Sequence, residues 1–152
     1  MTTLAAGSQR DTSPAPADAA AALPSADAWR AAATHHHELF APLDPGVRIA
    51  LFARSAPEQM LVWEAGAADV AARSEPFAGY TACAAAILLA ADDAALADLR
   101  AAPAASTFAT LRAGIRAGHV VCYMLERHCV LEERGLDELL DALGFAFMGA
   151  CR

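Results

Sequence analysis

The chain has 152 residues and a formal net charge of −7, and all eleven of its basic side chains are Arg. That length gives one domain with room for a core. The acidity excludes a phosphate-binding surface, which needs clustered cations, and offers anionic lipid no attraction, so neither direct nucleic-acid binding nor membrane association is expected.

Residues 1–24 are rich in Ala, Ser, Pro and Thr and lack an apolar period. They read as a disordered tail, leaving 25–152 as the folded domain. MTTLAAGSQRDTSP has no basic segment leading into an apolar run, so a secretory leader is not expected. The four cysteines at 83, 122, 129 and 151 then read as reduced thiols of a cytoplasmic protein.

A first helix is expected over Ala26–Phe40, with Ser25 as N-cap and Trp29, Ala33, His36 and Phe40 on one face. Asp44-Pro45 has the form of an N-cap followed by Pro at the first helical position, which starts a second helix running to about Arg54. Ser55-Ala56-Pro57-Glu58 has the form of a capping box and starts a third, carrying Met60, Leu61, Trp63, Ala67 and Val70. Residues 77–91, FAGYTACAAAILLAA, carry no charge. They fall short of the roughly 20 residues that span a bilayer, and read as a buried core helix. A short helix over Asp92–Ala102 presents Leu96 and Leu99, and Pro103 ends it.

Ser106–Gly135 reads as one long central helix, with Gly135 ending it. Phe108, Leu111, Ile115, Cys122, Leu125 and Cys129 fall at helical spacing along it. A last helix, Leu136–Phe147, sets Leu136, Leu139, Leu140, Leu143 and Phe147 on one side. No segment alternates apolar and polar residues over a useful strand length. The expected fold is therefore all-α: a single bundle of five or six helices behind a disordered tail.

Chemistry-bearing residues are few. On a helix, His119, Cys122 and Glu126 would share a face and offer imidazole, thiolate and carboxylate to zinc or another transition metal. His119 with Cys122, or His128 with a neighbour, would be a Cys–His nucleophile pair, but an apolar stripe in an acidic protein is a poor setting for a thiolate. Adjacent helical residues point about 100° apart, so His35, His36 and His37 cannot converge on one ion, and His36 is the one expected to pack inward. Asp92-Asp93 reads as a helix cap and not a catalytic dyad. Phosphate-loop motifs are absent, and no catalytic or cofactor-binding residues are expected.

Residues 39–63, LFAPLDPGVRIALFARSAPEQMLVW, with an aromatic before a capped helix and a second capped helix holding Gln59-Met60, resemble the helix–turn–helix centre of the flagellar transcriptional regulator FlhD. The resemblance covers about a sixth of the chain. It implies a helical dimer acting with a partner subunit at DNA, the partner supplying base contacts. The spacer after Trp63 is longer than in that family.

The composition favours a non-enzymatic, cytoplasmic protein-binding or regulatory protein of chaperone, immunity or regulator-subunit type, acting through helical surfaces. A metal- or redox-responsive helical protein is the second class. The apolar end Gly144-Phe145-Ala146-Phe147-Met148 is unfavourable in water. This makes Leu139, Leu143, Phe145, Phe147 and Met148 the expected binding surface for another protein or a second copy in a homodimer.

Overall fold

A computed structural model describes residues 22–145. It overturns the all-α bundle: the described residues form a five-stranded mixed sheet with six short α-helices. The strands are β1 (Arg48–Ala53), β2 (Ala56–Ala65), β3 (Val70–Pro76), β4 (Ile87–Ala91) and β5 (Val120–Met124), in the order β3-β2-β1-β4-β5. β1 and β4 are parallel; every other pairing is antiparallel. The helices are α1 (Ala26–His35), α2 (His37–Phe40), α3 (Asp93–Ala101), α4 (Thr107–Ala117), α5 (His128–Glu133) and α6 (Asp137–Ala142). None of them is long and apolar enough to cross a membrane.

Each misread segment has a local reason. RIALFA and ILLAA sit in the middle of the sheet, and all of their residues but Arg48 are buried. A strand covered on both faces shows a continuous apolar run, which periodicity cannot tell from a buried helix. Asp44-Pro45 leads into a turn whose Gly46 has φ 92°, and not into a helix. Ser55 caps nothing. It stands in the β1–β2 turn, and its Oγ donates to Asp93 Oδ1 at 2.6 Å. The register breaks between Phe52 and Ala53, which pair with Met60 and Ala56, so Pro57 lies where β1 demands no N–H. The FlhD-like stretch is thus a β-hairpin and not a helix–turn–helix.

The long central helix is three elements. Gly118 ends α4 in the left-handed region at φ 82°, β5 follows, and Gly135 at φ 87° closes α5. Other expectations hold locally. Ser25 Oγ accepts from Ala28 N, and Asp92 Oδ1 accepts from Ala95 N at 2.9 Å to start α3. Leu96 and Leu99 are buried beneath it.

The sheet separates two apolar clusters. On one face, Ile49, Leu51, Leu61, Trp63, Ile87, Leu89 and Val120 meet side chains from the helices. Trp29 stacks on Trp63 with centroids 4.0 Å apart, and the Trp63 indole N–H donates to Trp29 O at 2.7 Å. On the other face, Ala50, Phe52, Met60, Val62, Leu88 and Ala90 pack with Cys83, Ala85 and Phe77 from the 77–86 loop, and with Leu125. Among the described residues no helical residue belongs to this second cluster, and the face is called helix-free in that sense. Of the expected tail, residues 1–21 lie outside the described residues; Leu23 is buried in the helix-side core.

Candidate functional site

The helix-free face carries the features that the folding core does not explain. Strand alternation sends Val121 and Tyr123 to this face, opposite Ala90 and Leu88. The 77–86 loop crosses it and brings Tyr80 over. Phe52 stacks on Phe77 at 4.5 Å, Phe77 meets Tyr80 edge-on at 5.9 Å, and Tyr80 meets Tyr123 edge-on at 5.2 Å. The row starts buried in β1 and emerges at β5. Tyr80 at 47%, Val121 at 37% and Tyr123 at 37% are the exposed large hydrophobic residues among those described. All three lie at this end of one face. The Tyr123 phenol beside it pushes the Tyr80 hydroxyl above its usual range.

At the far end of the same face, charge replaces aromatic surface. Arg48 of β1 donates to Glu64 of β2 at 3.1 Å and to Glu75 of β3 at 2.7 Å, and its Nη2 also reaches Cys83 O. Arg73 closes the square, bonding Glu75 at 2.6 Å and Glu64. Arg73, then Arg48, holds the Glu64 carboxyl below its usual range; Arg48 does most of the same for Glu75. Two positive and two negative charges satisfy one another across three strands and tie the 77–86 loop down through Cys83. This is a structural fastener for the loop that carries Tyr80.

The two sheet edges differ. Leu125 N bonds Ala86 O, and Asp92 N bonds His119 O, which brackets the β4–β5 ladder. Antiparallel alternation then points the N–H and C=O groups of Val121 and Tyr123 at β4, and those of Val120, Cys122 and Met124 outward. Among the described residues nothing pairs with that outer row. The β3 edge is blunted: Arg30 Nη2 donates to Ala72 O at 3.1 Å, Pro76 has no N–H, and α1 contacts this strand, although the outward groups of Val70 and Ser74 have no partner among the described residues.

A polar cluster stands where β1 and β4 end, between chains that leave in opposite directions. His119 Nδ1 lies 2.6 Å from Asp92 Oδ2, and Arg54 Nη2 reaches the carbonyls of Gly118 and His119. The Ala95 backbone N–H, then His119, holds the Asp92 carboxyl below its usual range. An imidazole oriented by a carboxylate is competent as a general base. The nearby hydroxyl, Ser55, hydrogen-bonds Asp93 and not His119.

The sequence candidates scatter. His119 and Cys122 lie three residues apart along an extended segment and so point to opposite sides. Both carboxylate oxygens of Glu126 accept from Arg134 Nη1, at 2.7 and 2.9 Å. The shared helix face that the metal set requires does not exist, and among the described residues no three His, Cys, Asp or Glu side chains converge as a metal group. Cys122 packs against the helix-side core, and burial pushes its thiol up to about 12. Cys83 and Cys122 are free thiols, whereas Cys129 is disulfide-bonded, contrary to the expected set of reduced cysteines. His36 packs edge-on against Phe108, with Nε2 3.2 Å from Ala105 O, while His37 is solvated. Leu139 and Leu143 are buried in the chain's own core, and Phe145 packs against that core. Phe147 and Met148 lie outside the described residues.

Sequence reasoning missed Tyr80, Val121 and Tyr123 as a group, because no local pattern joins a loop to a strand 40 residues on. The run Val-Val-Cys-Tyr-Met, β-branched and aromatic after a Gly, was the available strand signal. No protein-family model, curated protein or solved structure matches the chain.

Proposed function

We propose that this chain is a non-enzymatic, cytoplasmic protein-binding module whose binding surface is the helix-free face of the sheet. The observation that carries the reading is the gathering of Tyr80, Val121 and Tyr123 at one end of that face. Tyrosines supply large contact area at low conformational cost, with a hydroxyl that tolerates water when the partner is absent. The four-charge square adds support, since it fixes the loop that presents Tyr80 before any partner arrives. A preformed surface loses less entropy on binding. The surface differs from the one expected at the C-terminal helix, whose Leu139 and Leu143 are occupied inside. The free thiols of Cys83 and Cys122 support a cytoplasmic site of action, and the Cys129 disulfide is the observation that stands against it.

The test is affinity capture from cells that naturally express the chain, comparing wild type with Tyr80→Asp and identifying recovered proteins by mass spectrometry. Tyr80 is solvated, so the substitution leaves the core intact, which a thermal melt checks. The expected result is a partner recovered stoichiometrically with wild type and weakened at least about tenfold by Tyr80→Asp, as for an aromatic anchor. A partner retained equally by both proteins, or none recovered with wild type, overturns the reading.

A further inference from the structure

We propose that the open β5 edge pairs with β5 of a second copy, antiparallel about a two-fold axis at Cys122, joining two sheets into one of ten strands. This rests on the reading above, because the pairing engages Val121 and Tyr123 of that surface and sets the two Tyr80 loops on one continuous face.

The strand dictates the arrangement. Its outward N–H and C=O groups belong to Val120, Cys122 and Met124, which are symmetric about Cys122. A two-fold antiparallel pair centred there sets Cys122 opposite Cys122 of the second copy and Val120 opposite Met124, each such pair exchanging two hydrogen bonds. Centring on Val120 would run the pairing into the end of α4. Centring on Met124 would place Arg127 opposite the exposed Val121. Only the Cys122 register pairs Val120–Met124 with itself, and no residue of that strand is charged.

Side chains agree with this register. On the helix-free face, Val121 of one copy lies directly across from Tyr123 of the other, an aromatic–β-branched pair that favours antiparallel strands. Two of the three exposed large hydrophobics are thereby covered. The β3 edge, with Pro76 in it and Arg30 on the Ala72 carbonyl, is the less favourable of the two edges for a strand.

The test measures mass by light scattering across a concentration series, with three comparisons. Wild type is expected at twice 15.7 kDa. Val121→Glu combined with Tyr123→Glu sets carboxylates face to face and is expected to weaken the dimer at least tenfold. Val121→Arg combined with Tyr123→Glu sets opposite charges across the axis and is expected to keep it. Both positions are solvated in the single chain, and circular dichroism checks that each variant is folded. Register is read by oxidation: Val121→Cys protein mixed with Tyr123→Cys protein cross-links, while either alone does so no more than wild type. A wild type that is monomeric at about 1 mM overturns the proposal. So does a dimer indifferent to the charge pairs, or one that cross-links without regard to the mixture. A monomer that still holds a Tyr80-dependent partner sinks the self-pairing and spares the binding surface; a β5-linked dimer that binds nothing does the reverse.

Discussion

At the scale of the residue, the two tryptophans show how similar side chains carry different obligations. The Trp63 N–H donates to Trp29 O, while the Trp29 Nε1 is buried without a partner. A buried polar group left unpaired costs about 1–3 kcal/mol, so the indole of Trp29 contributes area against a standing penalty. Trp63→Phe gives up a hydrogen bond along with area; Trp29→Phe gives up area and removes the unmet donor. The expected outcome in parallel thermal melts is a larger drop for Trp63→Phe, by about 1 kcal/mol, or roughly 2–4 °C for a domain of this size. Equal losses, or the reverse order, would mean that the ring contacts and not the N–H groups decide. Ring contacts are considerable here, since Phe40 and Phe108 also pack on Trp63 with centroids 5.1 and 5.5 Å away.

At the scale of the element, two glycines that end helices are expected to behave differently. Gly118 and Gly135 both have positive φ, 82° and 87°, where an L side chain is strained. Around Gly118 a Cβ would meet open space; at Gly135 it would fall on the Pro42 carbonyl and the Leu43 amide. Gly118→Ala should therefore cost only the backbone term, about 1 kcal/mol. Gly135→Ala must also displace the 42–43 backbone, which is bound to the end of α5 by Asp44 N donating to Arg134 O at 3.0 Å. We expect a soluble Gly118→Ala protein melting a few degrees low, and a Gly135→Ala protein that is unfolded or aggregated. A Gly135→Ala variant as stable as Gly118→Ala would show that this junction is looser than drawn.

At the scale of the whole molecule, the square of Arg48, Glu64, Arg73 and Glu75 links acid stability to the helix-free face. Both carboxyls are held below their usual range in the folded chain. Their contribution is therefore complete above the ordinary carboxylate value of about 4.3, and is lost as pH falls through the depressed folded values. The arginines stay charged throughout and add no slope there. Glu75→Gln should melt lower than wild type at pH 7 and lose less on going from pH 5 to pH 3. Melts at pH 7, 5, 4 and 3 check this; parallel curves for the two proteins would mean that the square does not drive acid unfolding. The same variant leaves Arg48 with Glu64 as its one charged partner, and since Arg48 Nη2 holds Cys83 O the Tyr80 loop should loosen with it.

Several helices follow from local rules that can be read along the chain. Ser25 and Asp92 cap as their types require, Leu96 and Leu99 turn inward, and Leu136, Leu139, Leu140 and Leu143 form a buried stripe. Caps and amphipathic spacing involve groups a few residues apart, so the chain carries them legibly. That RIALFA, ILLAA and VVCYM are strands depends on what packs around them in the folded chain. Alanine-rich segments have helical propensity, but two-sided burial in a sheet outweighs differences of a few tenths of a kcal/mol per residue. The same holds for the candidate site. His119 and Cys122, matched in helical spacing, are parted by an extended backbone, and Tyr80 and Tyr123 become neighbours because a loop crosses the sheet. Spacing along a chain fixes side-chain direction only once the backbone period is known, and that period was decided by which strands lay on either side.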